Sequence, residues 1–161
     1  MVNLVPVTKQ LDQEILLNLW QLYMHDLSEF RDSVLPSDGR YRDDRVRTYF
    51  AYEDHWPFLF KMEDEVAGFV MIRKSSPDTF LMGEFFVLRK FRRSGLGTTV
   101  VERILLDFPG NWEIPFQNEN VKGAKFWRQT IDRLGYSSVE ELRPVANKPH
   151  LPHDVWLRFT S

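Results

Sequence analysis

The chain has 161 residues, a net charge of −2, a sequence pI near 6.1 and no cysteine. The missing thiols exclude disulfides, thiolate catalysis and Cys-based zinc sites, and the mildly acidic balance argues against nucleic acid as the main partner. The length predicts one domain over 1–161, able to bury roughly two-thirds of its unfolded surface. With no run of about 18 apolar residues and no leader pattern, a cytoplasmic protein without membrane contact is expected.

Taken in order, residues 2–7 read as a strand, and Thr8 is the expected N-cap of the helix that follows. That helix carries Leu11, Ile15, Leu19, Leu22, Tyr23, Leu27 and Phe30 at helical spacing, with His25, Asp26 and Glu29 on or near its other face, read as solvated. Pro36, Ser37, Asp38 and Gly39 mark a loop over 33–44, and a short helix is expected over 44–52. Residues 57–62 and 66–74 form a hairpin turned at Glu63-Asp64-Glu65, and a turn at 75–78 leads to a strand over 80–88.

After that strand comes Arg89-Lys-Phe-Arg-Arg-Ser-Gly-Leu-Gly97, followed by a helix that starts near Ser94 or Gly95 and stops before Pro109-Gly110. Gly95 and Gly97 in a first helical turn each cost roughly 0.5–1 kcal/mol relative to Ala, so helix stability does not account for them; close approach to the backbone does. The opening amides and dipole of a helix, with Arg89, Lys90, Arg92 and Arg93 beside them, suit a phosphate or pyrophosphate. The turn lacks the Gly-Lys-Ser/Thr of a P-loop and the third glycine of a dinucleotide fingerprint. A strand over 112–117 should pair in parallel with the 80–88 strand through this crossover helix. Ala124, Trp127, Ile131 and Leu134 then line a helical face. Pro144, Pro149 and Pro152 lie in a long loop, and residues 155–160 alternate as a last strand. His150 and His153 lie in that loop without clustered carboxylates, so no metal is expected there.

Arg92-x-x-Gly95-x-Gly97 after an apolar strand resembles the acetyl-CoA-binding signature of the GNAT acyltransferases, and Ala124-Lys-Phe-Trp-Arg-Gln-Thr-Ile-Asp-Arg-Leu-Gly-Tyr136 resembles the family's later helix and its Gly-aromatic ending. The resemblance covers about residues 57–136. It implies an α/β fold with a mixed central sheet of about six to seven strands and about four flanking helices. It also implies acetyl-CoA (CoA) as cofactor, a small-molecule or peptide amine as acceptor, and transfer of the acetyl group to a primary amine. Relatives are often dimers, which makes a homodimer one expectation. The cofactor would be held by Arg92, Arg93, Ser94, Gly95, Leu96, Gly97 and Thr98, with its pantetheine arm along the backbone of Phe86, Val87 and Leu88. Family members often carry an Asn three residues before the Ala of the later helix; here Asn120 is one place off, so it is either a ligand or, like Asn118, a helix cap. Trp127 stands where many relatives have a tyrosine that protonates the leaving thiolate.

Direct transfer needs a base for the ammonium and a proton for the thiolate. Glu84 shares a strand face with Met82, Phe86 and Leu88, which predicts apolar surroundings and makes it the candidate base; the competing reading pairs it with a nearby Arg. An indole is a hydrogen-bond donor and not an acid. Tyr136 is therefore the nearest candidate acid, with water or an unprotonated thiolate as alternatives. A non-catalytic acyl-CoA sensor is the second reading of the whole chain.

Overall fold

The computed structural model describes residues 1–161. Seven strands form one sheet in the order β1-β2-β3-β4-β5-β7-β6. In the chain, β1 (Val2–Pro6) is followed by α1 (Gln10–Leu27), α2 (Asp44–Ala51), β2 (His55–Met62), β3 (Glu65–Ser76) and β4 (Thr79–Val87). A 3₁₀ turn, Arg89–Phe91, leads to α3 (Leu96–Asp107); β5 (Asn111–Gln117), α4 (Val121–Arg133), β6 (Val139–Arg143) and β7 (Asp154–Thr160) complete the order. No helix is long and apolar enough to cross a membrane. The expected strands, helices and hairpin are present. Residue 9, not Thr8, is the N-cap of α1, and its side chain makes no capping bond. Residues 139–143, to which the sequence pattern assigns no element, form β6.

Two compact units divide the chain: Met1–Arg73 with Glu84–Val100, and Lys74–Gly83 with Val101–Ser161. In the first, β1, β2 and β3 are antiparallel. Phe60 pairs with Gly68 while Lys61 pairs with Val66, so Ala67 is the extra residue of a bulge. The carbonyl of Ala67 accepts the Leu88 amide at 2.8 Å. One face of these strands is packed by α1 and α2 through a cluster of Leu16, Leu19, Trp20, Val46, Tyr49, Leu59, Phe69, Met71 and Phe86. Aromatic area dominates this cluster, with Tyr23 5.5 Å from Phe69 and 5.6 Å from Phe86. The 33–43 segment is tied to α1 where Gln21 accepts from the Tyr41 amide and donates to its carbonyl.

In the second unit β4 pairs in parallel with β5 over three residues only, Thr79–Leu81 with Asn111–Glu113, and β5 is antiparallel to β7 along its full length. Phe80 lies 5.2 Å from Trp112 and 5.5 Å from Phe108, and the Trp112 indole donates to the Phe108 carbonyl. The β6 strand pairs only with β7, and four of its five residues are exposed.

Candidate active site

The turn after β4 follows from its local chemistry. Val87 ends the strand, the 3₁₀ turn follows, and the chain then adopts left-handed conformations at Arg93 (φ 64°) and Gly95 (φ 83°) before entering α3. Gly95 precedes the helix, not within its first turn as the sequence predicts, and its carbonyl accepts the first helical bond from Thr99. The torsion alone calls for glycine there. A Cβ on Gly95 meets no protein atom within 4 Å, so the crowding expected from the sequence is not supplied by the protein itself. Ser94 Oγ donates to the Phe91 carbonyl and accepts from the Leu96 amide at 3.4 Å, which closes the turn onto the start of α3, where helix geometry itself supplies no acceptor for the opening amides.

The four cations of the turn are not equivalent. Lys90 is paired with Glu65 at 2.6 Å. Arg89 and Arg92 each place an Nη2 on one oxygen of Asp26, at 2.7 and 2.6 Å. Arg92 Nε also donates to the Val87 carbonyl at 2.7 Å. Arg93 is exposed and is the one cation of the four with no acidic partner. Asp26, read from sequence as part of a solvated face, is thus committed at both oxygens, with its side chain only 19% exposed. Burial alone would raise its pKa, but the hydrogen bonds from Arg92 and Arg89 hold it below the ordinary aspartate value.

The backbone expected to hold a pantetheine arm is narrowed by the strand geometry. The Leu88 amide donates to Ala67 on β3, its carbonyl accepts from Phe91, and the Phe86 carbonyl lies against Gly68 on β3. Of Phe86, Val87 and Leu88, Val87 is the residue whose backbone points away from β3, as alternation along a strand requires, and its carbonyl is already taken by Arg92. The amide and carbonyl of Leu88 are thus both hydrogen-bonded within the protein.

Glu84 is buried, 7% exposed, on the face covered by α1 and α2. Its surroundings are not the apolar ones predicted. Tyr23 of α1 donates to Oε2 at 2.5 Å, and Arg45 of α2 donates to Oε1 at 2.7 Å. The Arg45 side chain is 69% exposed, so the pair is one-sided: a sheltered carboxylate under a guanidinium that reaches water. Burial, followed by the charge and hydrogen bond of Glu84, pushes the Tyr23 phenol well above its ordinary pKa, so it stays a donor. Burial and then Glu84 raise Tyr49 to about 12. Since that folded value lies above the ordinary 10.0, the unfolded chain ionises first. Stability is full below pH 10 and falls as pH rises from there to about 12, by about 1.4 kcal/mol per pH unit. Urea midpoints across this range should fall less in Tyr49→Phe than in the parent.

The other named residues lie in the second unit. Asn120 caps α4, its Oδ1 accepting from the Gly123 amide at 3.0 Å. A Cβ on Gly123 would lie 2.8 Å from Asn120 Nδ2, so a larger residue there would displace the capping side chain. Asn118 instead accepts from Arg128. Trp127 is buried, edge-on to Phe126 at 5.0 Å, on the apolar face of α4. Tyr136 is half-buried, its ring 5.6 Å from Phe159. The first unit therefore brings together Glu84, Phe86, Val87, Leu88 and the 92–98 turn. It also adds Tyr23, Asp26 and Arg45, which the sequence reading did not assign.

The model of the acetyltransferase (GNAT) family matches residues 17–128. The chain belongs to that family. No curated protein matches the sequence significantly. Solved structures with the same fold include an acetyltransferase from Thermus thermophilus, 17% identical, with a TM-score of 0.73 over 100% of this chain and 97% of that one. An aminoglycoside 6'-N-acetyltransferase complexed with coenzyme A is 15% identical, with a TM-score of 0.69 over 99% and 96%. The ribosomal-protein-S18-alanine N-acetyltransferase of Escherichia coli is 12% identical, with a TM-score of 0.63 over 99% and 93%. At such identities the likeness is one of fold, and the seven-stranded mixed sheet with four helices is the GNAT architecture.

Proposed function

We propose that this GNAT acetyltransferase moves the acetyl group of acetyl-CoA directly to a primary amine of a small molecule or peptide. The observation that carries the reading is the turn over 92–98, where left-handed Arg93 and Gly95 lead into the opening turn of α3 and Arg93 itself is exposed. That combination suits the cofactor's diphosphate, and the coenzyme A bound to the aminoglycoside 6'-N-acetyltransferase supports the same cofactor here. Ser94, Gly95, Leu96, Gly97 and Thr98 would present backbone, Arg93 its side chain, and the Val87 amide an edge for the pantetheine arm. Asn120 and Trp127 are further residues proposed to meet the cofactor.

In the transfer, the amine nitrogen forms a bond to the thioester carbonyl carbon, the carbon–sulfur bond breaks, and the sulfur leaves as thiolate. Glu84 is the proposed acceptor of the ammonium proton, and Tyr136 the proposed donor to the thiolate. Each Glu84 oxygen keeps a lone pair beside its bond to Tyr23 or Arg45, through which the proton can be accepted. A second reading, a non-catalytic acyl-CoA sensor, is favoured by the two donors that already occupy Glu84 and by Trp127 at the position of the family tyrosine.

Free-thiol release from acetyl-CoA against a panel of primary amines, with CoA binding measured calorimetrically on the same sample, separates the readings. Binding with turnover on one amine class supports the transferase. Binding without turnover on a broad panel supports the sensor, and absence of binding overturns both. In the transferase, Tyr136→Phe should lower kcat without changing CoA affinity; an unchanged kcat would leave water as the proton source or a thiolate that departs unprotonated.

A further inference from the structure

We infer that Asp26 is a positioning residue for the proposed cofactor loop: by holding Arg89 and Arg92 on its two oxygens it fixes the turn before the cofactor arrives and leaves Arg93 as the cation that meets the diphosphate. The inference rests on the cofactor reading above and deepens it.

Three observations carry it. First, Asp26 lies in the last turn of α1, more than sixty residues away in sequence, yet both oxygens are spent on the turn. Second, Arg92 is held at more than one point. Its Nη2 is on Asp26, its Nε is on the Val87 carbonyl, and its guanidinium lies 5.6 Å from the Phe86 ring centre. The pair therefore ties α1, the end of β4 and the turn together. Third, Arg92 already meets the Asp26 carboxylate at 2.6 Å, whereas Arg93, next in the chain, is exposed and has no acidic partner. An isolated exposed pair orders little. One carboxylate shared by two guanidiniums, with one of them also bonded to the strand end, lowers the conformational freedom that binding must otherwise remove. The signature arginine then acts as a strut and its successor as the ligand.

Asp26→Asn keeps shape and removes charge; Asp26→Glu keeps charge. CoA affinity by calorimetry, KM and kcat with acetyl-CoA, and amide hydrogen exchange over residues 88–97 in the free protein are measured for both. Asp26→Asn should weaken CoA binding and raise KM for acetyl-CoA about tenfold, leave kcat within about twofold, and speed exchange in the turn. Asp26→Glu should retain most of the affinity. Arg93→Ala should weaken binding by a similar factor without speeding exchange. Unchanged affinity and exchange in Asp26→Asn would overturn the inference, as would a fall in kcat at constant KM. A parent protein that binds no CoA would sink the cofactor reading itself. Exchange that still depends on Asp26 would then show a strut without the proposed purpose, so the two failures are told apart.

Discussion

Gly68→Ala should lower unfolding stability by about 3 kcal/mol or more, the largest stability effect expected from a single methyl group in this chain. A Cβ at this position would lie 2.0 Å from the Phe86 carbonyl oxygen and 2.3 Å from Cζ of Phe60. The ring can yield by rotation, but the carbonyl belongs to the backbone of β4 and cannot move without the strand. Movement of Phe86 carries Glu84 and Val87 with it, so the same substitution should weaken CoA binding even at temperatures where the variant is folded. Urea unfolding followed by circular dichroism gives the first quantity and calorimetry the second. A midpoint within experimental error of the parent would mean that β3 and β4 separate at little cost, contrary to the close packing expected of a core.

The strand, turn and helix over 79–107 were legible because each part has a local signature: an apolar run, a cluster of cations with glycines, and a helical stripe ended by Pro109-Gly110. What those cations do was not legible. Charge in a sequence carries no partner, and the partner of Arg92 is Asp26, while that of Lys90 is Glu65. Helical periodicity placed Tyr23 on the buried side of α1, but its hydroxyl reaching Glu84 depends on β4 lying under that helix. Arg45 was hidden in a short segment of mixed charge whose burial is set by Val46 and Tyr49 alone. The β6 strand was missed for a different reason: Val139–Arg143 includes two glutamates and an arginine, and as an edge strand it buries too little to impose an alternating pattern. Gly68 did carry a readable signal, a glycine inside a strand, which marks a close backbone approach.

Glu84→Gln should lower kcat by about 10²–10³ and leave CoA affinity unchanged. The amide preserves the volume of the carboxylate and keeps an oxygen to accept from Tyr23. Arg45 loses its counter-charge, but its exposed side chain can turn to water, so the fold should tolerate the change. The loss therefore reads on chemistry: an amide cannot take the ammonium proton. If kcat is unchanged in the variant, Glu84 is not the base. The same carboxylate would then be the post on which α1 and α2 are fixed to β4 through Tyr23 and Arg45, and proton removal would pass to another group or to water. Arg45→Gln distinguishes the two roles from the other side. A base relieved of its guanidinium keeps its turnover, whereas a post deprived of one strut loses stability in the α2 segment, seen as faster amide exchange over 44–51.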